Sequence, residues 1–271
     1  MPDWNTPALV YHSANSSILN HAMQLHYQIL GQGQPLVFLH GLFGSGDNWG
    51  AIARYFSQHY QVNSVDLRNH GCSPHSDTQT YPEMAGDLLD TLNALGADQI
   101  HLLGHSFGGK VAMQFATQYP QRVNKLIVVD MGIRAYADAH TQLIAAMQAV
   151  DLSQAQSRGE VDKALAAAIP NLAVRQFLLT NLVKTEGQLH WRINLPALRA
   201  NYAHFQAALP AHYEKPCLFI RGERSDYVRQ KDIVEIQQQF PRAEFVSLPT
   251  DHWVHAEQPQ LFIQAVEDFL S

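Results

Sequence analysis

The stretch IHLLGHSFGGKV, residues 100–111, decides how the rest of the chain is read. Its first six residues form an apolar run of strand length, and the glycines beyond it make a turn that opens a helix. Two chemistries fit this arrangement. Gly104, Gly109 and Lys110 match G-x-x-x-x-G-K, a phosphate cradle built from backbone amides and one lysine. Gly104, Ser106 and Gly108 match G-x-S-x-G, a sharp turn that presents a nucleophilic serine. The run LIVVD at 126–130 suits both, because its aspartate can serve a magnesium ion or orient a catalytic base.

Val111 separates the two readings. In a phosphate cradle the residue after the lysine is Ser or Thr, whose hydroxyl binds magnesium, and valine has no such group. The nucleophile reading asks nothing of that position. It does ask for small residues on either side of the serine, where a strained turn brings backbones close, and Gly104 and Gly108 supply them. The helix that starts behind Ser106 points its free amides at the same place, which favours negative charge there.

A serine hydroxyl needs a base, because it is almost fully protonated at neutral pH. Of 15 histidines, most are expected on the surface or satisfied in the core. His252, in PTDHWVHAEQP, follows the last predicted strand and precedes the last predicted helix, so the chain order is serine, acid, histidine. His255 lies three residues on, and a metal pair of the two lacks a third ligand at sensible spacing. A tetrahedral intermediate also needs amide donors for its oxyanion. The turn LHGLFGSGDNW at 39–49 offers the amide of Leu42 beside that of Phe107.

Around this centre, strands are predicted at 23–30, 35–41, 61–67, 100–105 and 125–131, with helices near 47–57, 81–95 and 108–119 between them. Such alternation implies a parallel sheet covered on both faces. From 134 to 212 the pattern turns Ala- and Leu-rich and helical, with no convincing strand, as in LIAAMQAV, KALAAAI and RQFLLTNLV. Alternation resumes with a strand at 216–222, a helix near 229–239, a strand at 243–249 and a final amphipathic helix. The expected organisation is a core of residues 1–133 and 213–271 with a helical insertion at 134–212.

Composition narrows the partners. With 18 Lys and Arg against 24 Asp and Glu, the net charge is −6, and no basic block marks a nucleic-acid footprint. Cys72 and Cys217 form neither a metal spacing nor a disulfide framework, which suits a reducing compartment. The N-terminal stretch has no basic then apolar leader pattern, and no apolar run reaches the roughly 20 residues that span a bilayer. The expectation is a cytoplasmic monomer or homodimer that neither inserts into membrane nor binds nucleic acid, and that needs no metal or organic cofactor.

The segments HGLFGS, VDLRNHGCS, GHSFGGKVA, IRGERSDYV and HWVHAEQP together resemble the α/β-hydrolase fold superfamily along nearly the whole chain. RNHGCSP, GGK behind the serine and HWVHAE are similar to bacterial esterases acting on acyl esters and acyl thioesters. That resemblance implies a mostly parallel sheet flanked by helices, with a helical cap after the sixth strand. It implies an ester or thioester hydrolase, acyl-CoA included, working through an acyl-enzyme on Ser106. Most of the superfamily carries the triad acid in G-x-x-D after the seventh strand. In GERSD that position is Ser225, and Asp226 comes one residue late. The esterase resemblance points instead to Asp130, which should stand beside Ser106 at the carboxyl edge of the sheet. Asp130 is therefore the favoured acid and Asp226 the alternative. Asp66 is read as tying down its following loop, His105 as packed beneath the turn, and Lys110 as a surface or structural residue. Other reactions of this fold remain as rivals: carbon–carbon bond hydrolysis, lyase chemistry, or silent ligand binding.

Overall fold

The computed structural model describes residues 23–271, so the N-terminal stretch read above for a leader lies outside the described residues. The chain runs through β1 (Tyr27–Leu30), β2 (Pro35–Leu39), a 3-10 turn (Gly46–Trp49), α1 (Gly50–Phe56), β3 (Gln61–Val65), α2 (Tyr81–Ala94), β4 (Ile100–His105), α3 (Phe107–Gln118) and β5 (Val123–Val129). Next come α4 (Thr141–Ala149), α5 (Arg158–Leu165), α6 (Leu172–Leu179), the pair β6 (Leu182–Thr185) and β7 (Gln188–Trp191), and α7 (Leu195–Gln206). The last part holds β8 (Cys217–Gly222), α8 (Asp232–Gln239), β9 (Ala243–Leu248), α9 (Val254–Glu257) and α10 (Pro259–Leu270).

Seven strands form one sheet in the order β1-β3-β2-β4-β5-β8-β9. All neighbours are parallel except β1, which pairs antiparallel with β3 at the edge. The central strands carry short apolar runs, LVFL in β2, LL in β4 and LIVV in β5, because both faces are covered there, and successive side chains point to opposite faces. Thus Val37, Leu39, Leu102, Leu126 and Val128 pack with Leu88, Val111 and Phe115 of α2 and α3. The intervening Leu36, Phe38, Leu103, Ile127 and Val129 pack with Phe56 of α1 and with Phe262 and Val266 of α10. Helix starts follow local chemistry: Thr80 caps α2, its backbone N–H donating to Glu83 Oε2 at 2.8 Å in a capping box, with a proline in the first turn.

One expectation requires correction. The segment between β5 and β8 is not free of strands, since β6 and β7 form an antiparallel hairpin with Leu182 opposite Trp191. Its two-residue turn places Glu186 and Gly187 at φ 51° and 84°, as a turn matched to strand twist requires. A glutamate in the first turn position conceals the usual Asn-Gly or Asp-Gly signal. Among the described residues five strands precede this segment, which leaves the sheet at the end of β5.

Candidate active site

In a parallel sheet the carboxyl ends of the strands share one edge, where open α/β sheets gather ligands. Ser106 follows β4 directly and Asp130 follows β5, the adjacent strand. The Ser106 amide donates to Val129 O at 2.9 Å and the Asp130 amide to Ile220 O at 2.7 Å, so the sheet ladder carries both residues. His252 sits in the loop between β9 and α9.

These three residues form a continuous hydrogen-bonded relay. Ser106 Oγ lies 2.9 Å from His252 Nε2, and His252 Nδ1 lies 2.7 Å from Asp130 Oδ2. Asp130 is wholly buried, and Gly222 N donates to its Oδ1 at 3.1 Å. An ionised carboxylate only accepts, so His252 Nδ1 carries the proton and Nε2 is left to accept from the serine hydroxyl. The Ser225 hydroxyl donates to the same Asp130 Oδ2. Ser225 stands where most of the superfamily keeps its acid, which is the one sequence signal for a contact that sequence reading missed. The Tyr227 ring stacks on His252 at 3.9 Å and 16°, and the His252 carbonyl is 2.9 Å from His105 Nε2. Asp226, by contrast, is exposed, and its side chain makes no hydrogen bond among the described residues; its carbonyl accepts from Arg134 Nη2 at 2.7 Å.

The turn around Ser106 is as tight as its glycines imply. Ser106 adopts φ 52° and ψ −118°, outside the basins open to L-residues. A Cβ on Gly104 would lie 2.2 Å from Gly108 O, and one on Gly108 would lie 2.5 Å from His40 O. Helix α3 is therefore seated on the end of β2. Phe107 is its first residue, so its amide has no intrahelical acceptor. The loop after β2 runs against the same point: a Cβ on Gly41 would be 3.5 Å from Ser106 Cβ. Leu42, next in that loop, lines both cavities that open onto Ser106.

One cavity, about 260 Å³, is walled chiefly by Tyr81, Phe107, Met131, Tyr136, Phe205 and Tyr227. The other, about 550 Å³, is walled by Phe43, Trp49, Val174, Phe177, Leu178 and Trp253 among others. Several histidines lie here, and burial holds them neutral: it lowers His105 well below the usual imidazole range and takes His140 and His255 to about 4. His255 packs its ring 4.4 Å from Trp49. Asp66 accepts from Gly46 N at 2.6 Å and Cys72 N at 2.8 Å, tying two loops together. Lys110 is fully buried rather than on the surface, and its ammonium donates to Ala207 O, so it faces no phosphate site. Burial lowers it to about 8.

This sheet, the serine turn and the relay describe an α/β hydrolase, and the family model for the alpha/beta hydrolase fold matches residues 34–259. The chain belongs to that family. It is 40% identical over 253 residues to the zebrafish (Danio rerio) sn-1-specific diacylglycerol lipase ABHD11, covering 89% of this chain and 79% of that one. It is 37% identical over 241 residues to Esterase YbfF of Escherichia coli K12, covering 88% and 93%. Among solved structures, a marine microorganism esterase superposes with a TM-score of 0.89 at 38% identity, covering 91% of this chain and 99% of that one.

Proposed function

We infer that the protein is a serine ester hydrolase in which Ser106 is the nucleophile, His252 the general base and acid, and Asp130 the residue that orients and charge-stabilises the imidazole. The observation that carries this reading is the unbroken relay from Ser106 Oγ through His252 to Asp130. His252 Nε2 takes the hydroxyl proton as Oγ attacks the acyl carbonyl. The Leu42 and Phe107 amides hold the resulting oxyanion. Collapse expels the alcohol or thiol, which receives the proton from His252 and leaves the acyl group on Ser106. Water then attacks that acyl-enzyme with His252 again as base, and the acid departs.

The substrate class is carboxylic esters or acyl thioesters, including acyl-CoA. The apolar walls of the two cavities support an apolar acyl group, and the names of the lipase and esterase relatives agree with that choice. Residues 134–212 act as a cap that supplies much of those walls and so sets acyl preference. The free thiols of Cys72 and Cys217 fit a cytoplasmic setting, for a monomer or homodimer. No helix among the described residues is long and apolar enough to cross a membrane.

The test is hydrolysis of chromogenic acyl esters and thioesters of graded chain length by wild type and by folded Ser106→Ala. Turnover that disappears in the variant is the expected result. A folded wild type inert towards every ester would overturn the reading.

A further inference from the structure

The two cavities meet at the nucleophile, and only Leu42, Ser106 and His140 line both. If one cavity takes the acyl group and the other the leaving group, the ester linkage lies at the junction that these three residues line. Its polar atoms are the carbonyl oxygen, which the Leu42 and Phe107 amides engage, and the bridging atom, which needs another donor.

The hydrogen bonds of His140 decide what it presents. Tyr202 Oη accepts the backbone N–H groups of Ala139 at 3.3 Å and His140 at 3.0 Å. The Asp138 carboxylate also lies near the Tyr202 hydroxyl, but its Oδ1 already accepts from the backbone N–H groups of His140 and Thr141, and His140 Nδ1 at 2.8 Å is taken as the acceptor of the hydroxyl proton. An imidazole that accepts at Nδ1 and is neutral carries its proton on Nε2. Burial keeps it neutral, lowering it to about 4, with the nearby His252 acting in the same direction. Among the described residues Nε2 has no partner, while edge contacts with Phe43 at 5.7 Å and Tyr202 at 5.9 Å hold the ring.

We propose that His140 is a specificity-determining residue whose Nε2–H donates a hydrogen bond to the bridging oxygen of the bound ester, favouring oxygen esters over thioesters. The proposal rests on Ser106 being the nucleophile. As the acyl carbon–oxygen bond breaks, the electron pair goes to the bridging oxygen and His252 delivers the proton. His140 keeps its own proton and stabilises the growing charge through the second lone pair. Thioester sulfur is a weak acceptor, so it gains little from the same N–H.

The experiment compares kcat/KM for an oxygen ester and a thioester of the same acyl chain in wild type, His140→Leu, His140→Gln, Tyr202→Phe and Ser106→Ala. A hydrogen bond to a group gaining charge predicts a loss of about tenfold or more for the oxygen ester in His140→Leu. The thioester should fall less than about threefold, since sulfur makes little of the bond. His140→Gln, which retains an N–H near Nε2, should recover most of the oxygen-ester rate. Tyr202→Phe, which frees the tautomer, should fall between wild type and His140→Leu. Equal losses on both substrates, or none on either, would overturn the proposal. Should His140→Leu fail to fold, the glutamine and phenylalanine variants carry the same comparison. Turnover surviving in Ser106→Ala would instead overturn the nucleophile assignment, and this inference with it.

Discussion

Replacing Ser106 with glycine should leave the protein more stable than replacing it with alanine, the reverse of the order found at most positions. At φ 52° and ψ −118° the serine lies outside the left-handed basin as well as the helical and extended ones. Strain of this kind costs on the order of 1–3 kcal/mol, and alanine keeps the Cβ that causes it. Glycine removes the strain but loses about 0.5–1 kcal/mol through the greater freedom of its unfolded chain. Both variants lose the 2.9 Å hydrogen bond to His252, so that contribution cancels. The balance favours glycine by about 1 kcal/mol, a midpoint shift of roughly 0.5 M urea for an m-value of about 2 kcal/mol/M. Equilibrium urea unfolding of the two inactive variants measures it, provided their m-values agree. A glycine variant no more stable than the alanine variant would refute the claim that the serine is held in strain by its surroundings.

Asp130→Asn should lower kcat by about 10⁴, the scale on which a triad acid acts, while Asp226→Asn should leave steady-state kinetics near wild type; the opposite pattern would move the acid to Asp226. Gly108→Ala puts a Cβ 2.5 Å from His40 O and 2.7 Å from Leu39 O, so α3 must shift off β2. A displacement near 1 Å at the nucleophile is expected to cost about 10² in kcat, read by initial rates on a soluble ester. Burial lowers His70 to about 3 and His140 and His255 to about 4, so below pH 6.5 the unfolded chain binds protons that the native protein refuses. Stability is therefore full above about pH 6.5 and falls as pH drops towards 4, by about 2 kcal/mol per histidine at pH 5. Urea unfolding at pH 8 and pH 5 with equal midpoints would contradict this.

The serine turn was legible because its cause is local: two glycines flank Ser106 where a Cβ would strike backbone. The central strands were legible because burial on both faces makes them apolar runs, as in LIVV of β5. The acid was harder to assign. Asp130 and His252 are 122 residues apart, and their 2.7 Å contact depends on the pairing of β5, β8 and β9. Motif spacing alone left Asp226 in contention. Ser225 drew notice only as a missing acid, whereas its hydroxyl bonds to the Asp130 carboxylate. The hairpin of β6 and β7 was missed because its strands are four residues each and its turn begins with Glu186. The cavities were beyond the sequence, since their walls come from both sides of the fold.

Those walls bear on how chemistry and selectivity divide between the two parts of the chain. Every member of the relay stands at the carboxyl edge of the sheet, and two of them, Ser106 and Asp130, have positive φ. Such conformations persist where surrounding structure over-determines them, and both residues are tied into the ladder by their own amides. His140 and Tyr202 belong instead to the segment between β5 and β8. That segment is anchored by polar contacts: Asn181 Nδ2 donates to Phe43 O at 2.8 Å, Tyr81 Oη to Phe205 O at 2.9 Å, and buried Lys110 to Ala207 O. Breaking them all to detach the segment would give up about 0.5–1.5 kcal/mol for each bond, more for the one made by the charged lysine. Wholesale opening is thus an expensive route for substrate, and access through the existing cavities is cheaper. Substitutions on the cavity face of this segment should therefore change which substrate is preferred, while the relay sets how fast a well-placed ester is cleaved.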